Sequence, residues 1–254
     1  MSSKKKNGIV FYLSIVIIFA LAIFIGNDVF AGSFFEGWKG DIFLGYSKTS
    51  GNTEKASGNL SAQAAKKVNK STVSAKANLS YSETGNNMDG QKWDMLGKYS
   101  FDFGKNDRLF NFYQVLADHD YFADIDYRVT PSLGIGYHIY TEPDWIWDVD
   151  AGLGYRITRH RENTAADNES LTALAHTFMK KKVFDNTFIS QDISVYPGLE
   201  SNAGVILHSE TALTNPLNER ISLELKYIVD YDSEPAEGKK TTDTQFVAGL
   251  KYEF

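Results

Sequence analysis

The feature that most constrains this chain is a period of two that persists for most of its length. In "IDYRVTPSLGIGYHI", Ile125, Tyr127, Val129, Pro131, Leu133, Ile135, Tyr137 and Ile139 alternate with Asp126, Arg128, Thr130, Ser132, Gly134, Gly136 and His138. The next segment sets Trp145, Trp147, Val149, Ala151, Leu153, Tyr155 and Ile157 against Asp148, Asp150, Gly152, Gly154, Arg156 and Thr158. Successive side chains of a β-strand point to opposite faces, so each segment has one apolar and one polar face. A soluble strand is usually about 5–6 residues long. These patterns continue for twice that, and a tilted strand needs about 9–11 residues to cross a bilayer. The apolar rows carry no Asp, Glu, Lys or Arg, and their aromatics lie towards the ends of the rows, as interfacial girdles require.

This reading predicts strands near 38–48, 55–68, 71–83, 91–103, 107–117, 124–140, 145–158, 169–180, 183–196, 203–214, 219–231 and 241–254. The connections alternate in character. "NK", "GKN", "TEPD", "KK" and "TNPLN" are short, whereas "RHRENTAADN" and "YDSEPAEGKK" are long and polar. Bacterial outer-membrane barrels have short periplasmic turns and longer outer loops. The expected fold is therefore all-β: a closed antiparallel transmembrane barrel of about twelve strands, of the outer-membrane type. Pro131 cannot donate to a ladder, so a bulge or local break is expected beside it. "RLFNFYQVLA" is apolar in both registers and fits the pattern poorly.

The N-terminus is separate. Lys4, Lys5 and Lys6 precede an apolar run from Ile9 to Ile25, and "VFA" follows, with Val29 and Ala31 as small residues of a cleavage site. This reads as a secretory signal peptide over 1–31, cut between Ala31 and Gly32, with 32–254 as one barrel domain; the rival reading is an uncleaved anchor. Cleavage removes three lysines and Asp28 and takes the net charge from −6 to −8. Such an acidic export product does not suit nucleic acid. With no cysteine and no His spacing of the HExxH kind, thiolate and zinc chemistry have no support, and no cofactor is expected.

The chain ends in "TQFVAGLKYEF". Phe246, Leu250, Tyr252 and Phe254 fall on one row of the expected closing strand. A terminal aromatic above alternating apolar residues resembles the signal that the bacterial barrel-assembly machinery reads. Expected partners are thus outer-membrane lipid, that machinery during biogenesis, and small solutes or ions.

"GDIFLGYSKTSGNTEKAS" resembles the opening of the salt-induced outer-membrane protein family, through Ser50, Gly51, Asn52 and Thr53. "DHDYFADIDYRVTPSLGIGYHI" is similar to the same family at Asp120, Tyr121, Phe122, Asp126, Arg128, Gly134, Gly136 and Tyr137, and "GLGYRI" repeats the last motif. The resemblance implies an outer-membrane barrel of unknown function and supplies no catalytic residue.

Barrels of about eight strands fill their interiors with side chains, and those of about sixteen enclose aqueous channels. At about twelve, two readings of the lumen stand side by side. Asp126, Arg128, Asp148, Asp150, Arg156, Arg220, Glu224 and Lys226 are expected to line it, among small residues such as Ser57, Ser80, Gly134 and Gly152 that leave room for water. A narrow channel for small solutes or ions follows if the space stays open. A plugged structural or surface-interaction barrel follows if the charges pair across it. An outer-membrane hydrolase would need a nucleophile beside His138, His176 or His208, and no spacing marks one; no enzymatic activity is expected.

Overall fold

A computed structural model describes residues 36–49, 55–85, 87–161, 168–200, 203–235 and 240–254. The expected signal segment with its Ala31–Gly32 cleavage site, and the turn residues Ser50–Thr53, lie outside them.

Residues Lys39–Phe254 form a closed antiparallel barrel of twelve strands, each paired with its sequence neighbours and β1 with β12. In chain order these are β1 Lys39–Thr49, β2 Lys55–Val68, β3 Ser71–Thr84, β4 Asn87–Phe103, β5 Leu109–Asp120 and β6 Ile125–Glu142. There follow β7 Trp145–His160, β8 Asn168–Lys182, β9 Phe188–Pro197, β10 Val205–Pro216, β11 Ile221–Asp232 and β12 Thr242–Glu253. The shortest, β9, has 10 residues, about enough to span the apolar layer.

The ring closes where Asp41–Tyr46 of β1 pair with Ala248–Glu253 of β12. Past this register, the Gly40 N–H donates to the Phe254 carbonyl (3.2 Å) and the Phe254 N–H donates to the Gly40 carbonyl (3.0 Å). Phe246, Leu250 and Phe254 all face out, at 60%, 52% and 45% exposure. The outward face is mostly apolar, with a polar patch where Gln191 of β9 bonds Ser209 and Thr211 of β10. Leu44, Leu133, Ile135 and Leu153 form its middle. Tyr127 and Tyr155 mark one end, and at the other Tyr140 stacks on Trp145 (3.7 Å) under the Lys181 ammonium (4.1 Å from the Trp145 ring). Rings at the water–lipid boundary with a lysine reaching past them are what an interface selects.

Four sequence expectations change in detail. β9 begins at Phe188, because "VFDNT" makes the turn: the Val183 N–H donates to the Thr187 carbonyl (2.9 Å), while Lys180–Lys182 complete β8. Asp185 and Asn186 are turn formers, whereas consecutive lysines are not. β4 begins at Asn87 rather than near 91, with a bulge at Ser82/Glu83, so Asn87–Gly90 of "TGNNMDG" are strand. Pro131 stays in register with Val115 of β5, and the β7 ladder is interrupted over Thr130–Pro131. The local break is there, but the bulges of β6 lie elsewhere, at Ile125/Tyr127 and His138/Tyr140. The two-register β5 resolves cleanly: Leu109, Tyr113 and Val115 face out, while Phe110 and Phe112 are buried inside.

The outward register is open to a direct test. Leu153→Arg places a cation on the lipid face (59% exposed in the wild type) and is expected to lower unfolding stability in vesicles by roughly 2–4 kcal/mol. The inward control is Ser80→Arg, because Ser80 lines open space. Gly152 does not serve as one, since a Cβ there would lie 2.3 Å from the Leu133 carbonyl oxygen. Equal stability of the two variants in a denaturant titration would refute the register of β7.

Candidate functional site: the lumen

The inward row of each strand meets a lumen with two unlike halves. One half is filled. Phe110, Phe112, Leu174 and Tyr196 form a buried cluster, with Leu116 and Ile206 against it. The rings fit because the facing positions on β6 are glycines. Phe110 pairs with Gly136 and Phe112 with Gly134. A Cβ on Gly136 would lie 2.2 Å from Phe110 Cζ, and one on Gly134 would lie 2.8 Å from Phe112 Cε1. These glycines therefore seat aromatic rings rather than leaving room for water, which corrects the expectation for this stretch of wall. Phe43 and Val247 fill a second recess beside Gly45 and Gly249 at the closing seam.

The other half is open. A cavity of about 1210 Å³ has lining from Lys39, Gln63 and Glu253 at one rim to Asp89, Phe122 and Lys240 at the other. Ser57, Ser74 and Ser80 do line it, as small residues were expected to.

Three ion pairs cross this cavity. Lys76 Nζ of β3 lies 3.6 Å from Asp192 Oδ2 of β9. These strands stand half-way round the ring from each other. Lys92 of β4 binds Asp230 of β11 at 2.7 Å, and Arg128 of β6 reaches Asp232 of β11 at 3.4 Å. Each crossing is tied to further groups. The Arg128 guanidinium also holds Asp118 (3.0 Å), and His208 Nδ1 meets Asp230 (2.7 Å). His176 sits between Asp150 (2.8 Å) and Asp192 (3.2 Å), and Lys98 adds a bond to Asp150 (2.8 Å). A buried charge persists only with an opposite charge or hydrogen bonds beside it, and this network supplies both.

Of the residues expected to line the lumen, Arg128, Asp150, Arg156, Glu224 and Lys226 face inward and are buried or nearly so. Arg128 and Arg156 line the cavity; Asp150 lies behind it under Lys98 and His176. Arg156 ties the end of β9 to Ala203: its guanidinium donates to the carbonyls of Ala203 (2.9 Å) and Tyr196 (2.8 Å). Glu224 and Lys226 form a cluster with Lys251 and Glu210, with the Lys226 ammonium 4.5 Å from the Phe43 ring. Asp148 is half-buried near the opposite rim from Arg128, held by His138 at 2.6 Å.

Two expected lumen residues are elsewhere. Asp126 is the extra residue of the Ile125/Tyr127 bulge, so it is exposed and Ile125 takes the inward place. Period-two counting fails across a bulge, where two residues oppose one. Arg220 lies in the turn before β11 and is exposed; its N–H bonds the Asn218 side chain. Sequence reasoning missed Lys92, Asp230 and Asp232 as a group. Their signal was present in the inward rows of β4 and β11, but which strands face each other across a ring depends on the strand count.

The profile of a family described as "Protein of unknown function, DUF481" matches residues 42–254. The chain belongs to this family. It is 25% identical over 216 residues to the uncharacterised protein YdiY of Escherichia coli (strain K12), covering 85% of this chain and 82% of YdiY. The resemblance read from the Ser50–Thr53 and Asp120–Tyr137 motifs is thereby borne out. Among solved structures, the NanC porin superposes with a TM-score of 0.51 at 9% identity, over 85% of this chain and 100% of that one. The COG4313 outer-membrane channel of Pseudomonas putida F1 gives 0.49 at 8% identity, over 85% and 95%. At these identities the NanC likeness concerns the fold alone, which is that of an outer-membrane porin-type barrel.

Proposed function

We propose that this DUF481 barrel is an integral outer-membrane channel of narrow bore for small solutes or ions. The observation that carries the reading is the rim-to-rim cavity whose crossings are ion pairs rather than packed apolar side chains. Hydrated charged groups can exchange partners with a passing solute, whereas a packed hydrophobic plug cannot. The plugged alternative draws on the same crossings and on the filled half around Phe112. A hydrolase has less behind it, because the hydrogen bonds of His138, His176 and His208 run to aspartates rather than to a hydroxyl.

The proposed route follows the N-terminal signal: export with loss of residues 1–31, passage through the periplasm, and insertion into outer-membrane lipid by the barrel-assembly machinery. In this reading the machinery reads the outward row Phe246, Leu250, Tyr252 and Phe254. Deleting Phe254 removes one half-exposed ring, worth on the order of 1.5–3 kcal/mol at most, and the two backbone bonds to Gly40, each worth about 0.5–1.5 kcal/mol net, while the β1–β12 register from Asp41 to Tyr46 is kept. The truncated chain is expected to refold in detergent in vitro but to be depleted from outer-membrane fractions in cells. Normal outer-membrane levels would show that the ring is only a strand residue.

Transport is tested by single-channel recording of the refolded barrel in planar bilayers. Small conductance steps are expected for the wild type, and larger ones for a Lys76→Gln, Lys92→Gln, Arg128→Gln triple variant, which lacks the cationic side of every crossing. If both proteins migrate as heat-modifiable barrels yet neither conducts, the lumen is plugged and the structural reading replaces this one.

A further inference from the structure

The three crossings share one sense. The cations Lys76, Lys92 and Arg128 stand on β3, β4 and β6, and the carboxylates Asp192, Asp230 and Asp232 stand on β9 and β11. By strand pairing Asp192 is the deepest of the carboxylates, level with Glu210 and Ile228, and Lys76 is the deepest of the cations, so the Lys76–Asp192 rung lies below the other two. The lumen thus holds a series of transverse dipoles, each running from the β3–β6 wall to the β9–β11 wall and turned relative to the others as the strands change. We infer that the permeant class is small zwitterions, molecules that carry one carboxylate and one ammonium. This deepens the channel reading and rests on it.

The argument is one of exchange. A solute can pass Lys76 only by separating it from Asp192. The separated groups are not alone in sign: Glu210 and Asp94 also face Lys76, and His176 and His208 face Asp192. A lone anion satisfies Lys76 but meets the Asp192 and Glu210 carboxylates of the opposite wall. A lone cation satisfies Asp192 and meets Lys76. An uncharged solute replaces neither charge. Leaving a partly buried charge without its partner is the costly outcome in a lumen of low dielectric. A zwitterion lying across the lumen gives its carboxylate to the lysine and its ammonium to the aspartate, so both charges stay compensated. The other rungs, Lys92–Asp230 and Arg128–Asp232, also set their cations on the β3–β6 wall and their carboxylates on the β9–β11 wall, so the solute keeps its ammonium towards the carboxylate wall while turning from rung to rung. The Ser57, Ser80 and Ser82 hydroxyls lining the cavity can accept and donate hydrogen bonds to its body between rungs.

The test is uptake of four labelled solutes of nearly equal size into proteoliposomes holding the full barrel at pH 7: alanine (zwitterion), lactamide (neutral), lactate (anion) and alaninamide (cation). Alanine is expected to enter about tenfold faster than lactate or alaninamide, the rate ratio for ~1.4 kcal/mol of barrier. In Lys76→Gln/Asp192→Asn its rate should fall to parity with lactamide. Lys92→Gln/Asp230→Asn alters the adjacent rung and serves the same purpose if the first variant does not assemble. Equal entry of all four solutes, or an alanine preference that survives in the assembled variants, overturns this inference while leaving the channel intact. Entry of none, in wild type and variants alike, overturns the channel and this inference together.

Discussion

The structure depends on closure of the backbone ladder. In hydrocarbon no water is available to an unpaired N–H or C=O, so a spanning sheet must pair its first strand with its last. Here that requirement is met by the β1–β12 register from Asp41 to Tyr46 and by the reciprocal Gly40–Phe254 hydrogen bonds. Once twelve strands are joined in a ring, the circumference is set and so is the interior volume. That volume is too wide for facing side chains to fill from every wall at once. The chain meets it unevenly, with aromatics seated on glycines at β5–β6 and a polar cavity opposite.

Paired charges across the open half have a mechanical consequence as well as an electrostatic one. Neighbouring strands are already held by their ladders, but β3 and β9, half-way round the ring, are joined by Lys76 and Asp192 reaching over the lumen. Such a contact resists flattening of the barrel while remaining exchangeable, which apolar packing would not be. Arg156 works differently: its guanidinium binds backbone carbonyls and holds Ala203 against the end of β9.

Much of this fold was legible in the residues because a bilayer imposes a simple rule on every strand. Leu133, Ile135, Leu153, Leu250 and Phe246 are outward where alternation puts them, and the strand count of twelve holds. What alternation could not reveal is anything that breaks the period or spans the ring. Asp126 was misplaced by a bulge that no residue type announces, and Arg220 by a turn that holds it outside the strand. Gly134 and Gly136 looked like space until β5 supplied the rings that occupy it. The pairing of Lys76 with Asp192 joins residues far apart in sequence, and no local pattern encodes it.

The central claim is that opposite walls of the lumen are coupled through ion pairs, and a double-mutant cycle on Lys76 and Asp192 measures that coupling most directly. Unfolding free energies of the wild type, Lys76→Gln, Asp192→Asn and the double variant would be obtained in lipid vesicles by urea titration. The account predicts an interaction energy of about 0.5–3 kcal/mol between the two sites, with the double variant more stable than the two single losses would sum to. Additivity within ~0.3 kcal/mol would contradict it, since residues on strands half-way round a twelve-stranded ring have no other direct means of sensing each other.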